Sequence, residues 1–309
     1  TDSTQKPAGA SLAPENPLLG QIKELLKQTI IKGDFEIPML PHVAQQVLQK
    51  MNDPKLGFPE LEQLVKQDQA LAAKVIKTAN SPFYRGVQEI TSLTAAMSRM
   101  GMKTMKDIVV SLGIQSKAFA VPGFEAILDR VWDHSVACAG ISQMLAKKFG
   151  VDAESAFLAG LLHDIGKPVI VQVCSKLEQK EAAAKKLSPA DAKKFRIEGL
   201  RETILPLAFK EYHELVGQTV AKRWNLSALI VDVVRNHHDY SKAQPEFQKI
   251  CTVVYLANIL CHHCGLGHDE EPKNLKEDPG FQIFNLDPDG IQNIAEDAPE
   301  VAHKLMGFM

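Results

Sequence analysis

A chain of 309 residues, 45% hydrophobic and 23% charged, is long enough to bury a substantial core in one or two domains. A formal net charge of -2 gives no general electrostatic case for nucleic acid or an anionic membrane as partner, so an anionic ligand must be held by local groups. Five scattered cysteines form no disulfide framework, no apolar run approaches the ~20 residues that span a bilayer, and no basic-then-apolar leader opens the sequence, so a cytoplasmic protein is expected.

Residues Thr1 to Asn16 are rich in Pro, Ala, Ser and Thr without periodicity, the pattern of a flexible tail. From Pro17 onward apolar residues recur at three and four positions, first as Leu18, Leu19, Ile22, Leu25 and Leu26. Helical stripes follow at Val43, Val47, Leu48 and Met51, at Leu61, Leu64 and Val65, and at Leu71, Val75 and Ile76. Pro82 disfavours helix at Ser81, so Asn80-Ser81-Pro82-Phe83-Tyr84 reads as a helix stop. The β-branched runs Ile108 to Val110 and Val169 to Val171 sit inside longer helical patterns, and length assigns them to helices. Val121-Pro122-Gly123 breaks the pattern and divides the chain, after the tail 1–16, into a first lobe over 17–121 and a second over 122–309. Gln179 to Lys194 is a charged, alanine-rich solvated helix interrupted at Ser188-Pro189. The Cys261-His262-His263-Cys264 run, with His268 nearby, lacks a second cysteine pair. It reads as the end of a helix begun near Cys251 and stopped by Gly265, rather than as a zinc site. Asp287 to Gly290 reads as a turn before a last helix over Ile291 to Leu305, and lacks the remaining ligands of a calcium loop. The expected fold is all-α, a two-lobed multi-helix bundle.

Histidines are unevenly placed. The first half has only His42, whereas the second carries His134, His163 beside Asp164, His213, and the pair His237-His238, all within helical patterns. Imidazole and carboxylate are the donors that hold divalent transition metals. Phe157, Leu158, Leu161, Leu162 and Ile165 make the surroundings of His163-Asp164 a core helix, where an unpaired carboxylate is costly. Taken singly, each histidine is explained as a hydrogen-bonded core or surface residue. Taken together, they would leave many buried nitrogens each needing its own partner, and a shared metal centre satisfies them at once. Cys138 and Cys251 lie among apolar helical residues and read as inert core thiols.

The second half resembles the HD superfamily of metal-dependent phosphohydrolases, and the chain as a whole resembles an HDOD-domain protein, a relative of the HD-GYP domains. The stretches that carry the likeness in the first half are Ile37-Pro38-Met39-Leu40-Pro41, Lys66-Gln67-Asp68, Thr78-Ala79-Asn80-Ser81-Pro82-Phe83-Tyr84, Ile90-Thr91-Ser92-Leu93, Ala95-Ala96 and Met100-Gly101. The resemblance runs from about Pro17 to at least Gly267. It implies an HD-type helical core in the C-terminal half, with metal ligation by His134, His163, Asp164, His213, His237 and His238. It also implies that Lys167 faces a substrate phosphate. Asp164 and Lys167 are three apart and so share a helix face, which places a cation where a phosphoryl group would gain charge.

Three positions depart from that pattern. Ala257-Asn258 stands where the family's last ligand is an aspartate, which weakens the hold on a second metal. Asp239-Tyr240-Ser241-Lys242 follows His238 where a Gly-Tyr-Pro motif would signal cyclic-dinucleotide hydrolysis. Arg130 takes the place of a glutamate found in trinuclear relatives. The expectation is a signal-transduction protein with one or two divalent transition ions (iron, manganese, nickel or zinc), since an imidazole-rich set excludes calcium and disfavours magnesium. Its hydrolytic candidates are Asp164 and Lys167, acting on a phosphate-containing small molecule, with a signalling protein as partner and neither nucleic acid nor membrane. The competing expectation is a non-catalytic regulatory module whose metal is structural; a third is an oxygen-using di-iron enzyme on the same scaffold.

Overall fold

The computed structural model describes residues 17–32, 42–50, 53, 56–81, 84, 88–266 and 274–306. The expected tail over 1–16, the stretch Ile37 to Pro41, Met51, Pro82-Phe83, and Gly267 and His268 lie outside them. The helices are α1 (Pro17–Lys32), α2 (His42–Gln49), α3 (Phe58–Lys66), α4 (Gln69–Ala79), α5 (Leu93–Ala118), α6 (Glu125–Phe149), α7 (Ala153–Leu162), α8 (Gly166–Ala184), α9 (Pro189–Lys194), α10 (Leu205–Arg223), α11 (Ala228–Asn236), α12 (Gln248–His263), α13 (Pro279–Gln282) and α14 (Pro288–Met306). A π-type turn, Leu200–Ile204, leads into α10. No strand occurs among the described residues, so both β-branched runs are helical as their length required.

Short polar side chains start many of these helices by accepting from an otherwise orphaned backbone N–H. Asp68 accepts from the Leu71 N–H at 3.0 Å, Ser92 from Ala95 at 3.2 Å, and Asp152 from Ser155 at 2.9 Å. The expected stop after α4 is made by Asn80. Its side-chain amide donates to the Ile90 carbonyl at 2.7 Å and its oxygen accepts from the Ile90 N–H at 2.8 Å, clamping the connection to α5. Gly101 bends α5 near its start: at φ 82° and ψ 161° it is far from helical geometry, a conformation costly for a residue with a Cβ.

Helices α2 to α5 pack chiefly on one another, and α5 also touches α7. In the second group α6 packs on α7, α12 and α14, while α10 packs on α8 and α11. Helix α1 lies against α8 and α10. The buried apolar residues of both groups form one continuous cluster, and every residue of α12 from Ile250 to Cys261 is buried within it. The most apolar stretch, Ala153–Ala184, passes a length and composition test for crossing a membrane at a mean hydropathy of 1.3. However, 83% of its most apolar 18-residue window is buried inside the protein, and a turn at residues 163–165 splits the stretch into α7 and α8.

Candidate metal centre

The six sequence-predicted ligands converge from four elements. His134 projects from the middle of α6 and His213 from α10. His163 and Asp164 sit in the three-residue turn between α7 and α8, and His237 and His238 just beyond the end of α11. This corrects the expectation of helix at His163-Asp164: the chain keeps right-handed backbone angles at His163 and Ile165 but breaks the helix there, turning Asp164 into the space between α6 and α10. Gly166, next in line, allows the turn to sit against α10, since a Cβ there would lie 2.0 Å from the His213 carbonyl oxygen and 2.7 Å from the Gly217 nitrogen.

Asp164 stands at the centre of the group. Its Oδ2 lies 3.3 Å from His163 Nε2, 3.5 Å from His134 Nε2 and 2.6 Å from Lys167 Nζ. Its Oδ1 lies 3.5 Å from His213 Nε2 and 3.8 Å from His237 Nε2, yet has no hydrogen-bond partner. The donors thus form two adjoining triads, His134-His163-Asp164 and His213-His237-His238, with Asp164 reaching both.

The histidine tautomers follow from the opposite ring nitrogens. His134 Nδ1 donates to the Leu266 carbonyl at 2.8 Å, His163 to Gly160 at 2.7 Å, His213 to Phe209 at 2.5 Å and His237 to Val234 at 3.0 Å. A carbonyl only accepts, so each Nδ1 carries a proton and Nε2 is the nitrogen turned inward, bare wherever the ring is neutral. This backbone clamp is how metal-ligating histidines are commonly oriented. His213 and His237 approach Nε2 to Nε2 at 3.2 Å, and His134 and His163 at 3.1 Å.

Burial dominates the electrostatics. It holds the imidazole of His213 down to about 3 and those of His134 and His237 well below the usual histidine range, so these rings are neutral. The 3.2 Å contact between His213 and His237 therefore has no proton of its own to share, and His238 Nε2, 3.1 Å from His213 Nε2, is the ring nitrogen within reach that could supply one. Burial works against ionisation of Asp164 too, but the Lys167 ammonium and then His163 outweigh it and hold the carboxyl well below its ordinary value. At His163 the same burial is outweighed by Cys138 and Asp164, which raise it to about 10, so a proton occupies the first triad when no metal does.

The residues therefore fit a metal on three counts: imidazole nitrogens converging in two triads, an orphaned carboxylate oxygen, and backbone-fixed imidazoles. Asn258, on α12, is 4% exposed and its Oδ1 has no hydrogen-bond partner. One turn further on, His262 lies with its ring 5.5 Å from that of His134. The sequence reading ended α12 here correctly, but it missed the approach of His262 to the centre. It likewise took Cys138 for a bystander, whereas the buried thiol contacts His163. The i, i+4 spacings His134 to Cys138 and Asn258 to His262 were the available signals. Arg130 is exposed.

Residues 37–240 match the HDOD domain, and the chain belongs to that family. A crystal structure of an HDOD domain protein of unknown function from Geobacter sulfurreducens aligns with a TM-score of 0.68 at 24% identity, covering 93% of this chain and 97% of that one. One from Shewanella amazonensis SB2B, named as a candidate metal-dependent phosphohydrolase, aligns with a TM-score of 0.64 at 20% identity, covering 94% and 98%. An uncharacterized protein of Treponema pallidum (strain Nichols) is 22% identical over 226 residues, which are 72% of this chain and 42% of that protein. The chain spans less than half the length of the curated relatives it matches. At these identities the solved structures establish a shared fold: all-α, as the periodicity required.

Proposed function

We propose that this HDOD protein acts in signal transduction and that its histidine/aspartate centre holds one or two divalent transition ions (iron, manganese, nickel or zinc) and hydrolyses a phosphate ester or nucleotide. The metal ligands in this reading are His134, His163, Asp164, His213, His237 and His238. The observation that carries it is the convergence of His213 Nε2 on His237 Nε2 at 3.2 Å and on His238 Nε2 at 3.1 Å beside the unpartnered Asp164 Oδ1, a donor set that one cation would satisfy together. The name of the Shewanella amazonensis protein points the same way.

A bound metal would supply Lewis acidity and a more acidic water, the chemistry that ester hydrolysis at phosphorus needs. The chain's own residues do the rest. Asp164 reaches both triads and so fixes their spacing. Lys167, 2.6 Å from Asp164 and 11% exposed, is the cation on the approach to the centre, placed to take a phosphoryl oxygen. His238 is the half-buried ligand, while the five others are buried, so substrate enters past His238 and Lys167. The partner is a signalling protein, and nothing in this reading calls on nucleic acid or a membrane.

The test is elemental analysis of protein purified without chelator or added metal, comparing wild type with His163→Ala, followed by assays on p-nitrophenyl phosphate and its bis-ester. Near-stoichiometric metal that is lost in the variant, with turnover in the wild type only, is the expected result. Negligible metal in both would defeat the reading. Asn258 favours a second reading, in which the metal is retained but structural and the module acts only through its partner; stoichiometric metal without turnover on either ester is its outcome.

A further inference from the structure

A cavity of about 830 Å³ opens between α5 of the first group and α6, α7 and α14 of the second. Its volume falls in the upper part of the roughly 300–1,000 Å³ range of small-molecule sites. None of the six histidine/aspartate residues lines it. Ile108, Met144, Phe157 and Leu305 give it apolar walls, so its body suits a flat or aliphatic group.

Two polar features stand at its opposite extremes of burial. Asp107 is 6% exposed, and its Oδ1 is buried without any hydrogen-bond partner. Burial, only partly offset by Lys103 and by a hydrogen bond with Gln143, pushes this carboxyl up to about 7, and Oδ1 is left as an unfilled acceptor. Lys147, Lys148 and Lys304 line the same cavity and are all exposed, giving it a cationic mouth. A ligand complementary to all three features carries a hydrogen-bond donor at its inner end, an apolar plane along its middle and an anion at its outer end. An acyl chain satisfies the walls and the mouth but leaves Asp107 Oδ1 without a donor. A purine satisfies the carboxylate through its N–H edge, and its phosphate reaches the lysines.

We infer that this interlobe cavity is a second ligand site that takes a purine nucleotide, base inward on Asp107 and phosphate outward on Lys147, Lys148 and Lys304. Because its walls come from both helix groups, occupancy ties α5 to α6 and α14. The site is separate from the metal centre and does not depend on its chemistry.

The experiment is a fluorescence titration of the 309-residue chain with N-methylanthraniloyl-GMP, with unlabelled GMP, AMP and palmitate as competitors. Saturable binding displaced by a purine nucleotide and not by palmitate is expected. Asp107→Leu keeps the branching at Cγ and removes the acceptor, and the double change Lys147→Glu/Lys148→Glu inverts the mouth. Each is expected to weaken binding at least tenfold while His163→Ala leaves it unchanged. Thermal melting guards against misfolding: if Asp107→Leu melts lower than wild type, having also lost the hydrogen bond with Gln143, the exposed lysine variant decides the matter. Absence of saturable binding, full binding by the lysine variant, loss of binding in His163→Ala, or displacement by palmitate alone would each overturn the assignment.

Discussion

Asn258 carries an amide where the family pattern has a carboxylate, and its buried, unpartnered Oδ1 is a neutral, weak donor. Asn258→Asp should therefore tighten metal binding, by on the order of tenfold or more, read by competition with a chromogenic chelator. Lys167→Gln should leave metal content unchanged and lower ester turnover by about 10²–10³, the scale of losing one charge-stabilising donor. Protons and metal compete at His163. Its imidazole is raised to about 10 in the metal-free protein, so a metal ion must displace that proton at neutral pH, and apparent metal affinity should rise with pH until about that value. Titrations at several pH values check the sign; an affinity that falls as pH rises over that range would contradict it.

At the scale of elements, the approach of α8 to α10 is what brings His213 over Asp164. Gly166→Ala places a Cβ against the His213 carbonyl and the Gly217 nitrogen, both backbone atoms that cannot rotate away. The expected result is a loss of about 1–3 kcal/mol in stability together with loss of metal, measured by urea denaturation and elemental analysis. On the far side of α8, Glu178 holds Arg201 through two oxygens, at 2.5 and 2.8 Å, and also accepts from the Ile197 N–H at 3.1 Å. The Arg201 guanidinium lies 4.0 Å over the Phe124 ring, so one side chain ties the entry to α10 to α8 and to the start of α6. Arg201→Ala leaves a buried carboxylate unpaired and should cost about 3–5 kcal/mol, visible as a lower urea midpoint.

For the whole molecule, the histidine/aspartate cluster is also a pH-dependent term in folding. His134, His213 and His237 have folded values below the ordinary 6.5 of an unfolded histidine, so the unfolded chain binds more protons as pH falls. Their stabilising contribution is full above about 6.5 and is lost progressively as pH falls towards about 3, the value held by His213. Metal-free protein should accordingly show falling thermal midpoints over that interval. Bound metal adds to the stability at neutral pH by mass action, about 2.7 kcal/mol at a free concentration a hundredfold above its dissociation constant, so chelation should lower the midpoint. The four elements that bear the centre's ligands are spread from α6 to α11, and the ligands come together only when the second group is packed.

The sequence by itself determined the helices and the residue types of the centre. Stripes such as Leu61, Leu64 and Val65 bury one face of a helix wherever that helix docks, and Asp68, Ser92 and Ser188 cap through bonds to residues three positions away. Six imidazole and carboxylate side chains in an apolar half announced a shared centre because buried nitrogens need partners. Only the tertiary structure decided which nitrogen of each ring faces inward, because the acceptor of His134 is the carbonyl of Leu266, 132 residues away. The turn at His163-Asp164, the backbone contact at Gly166, and the meeting of Asp107 with three lysines in one cavity were equally hidden. Local periodicity reports how a segment coils, whereas these features depend on which segments come to lie against each other.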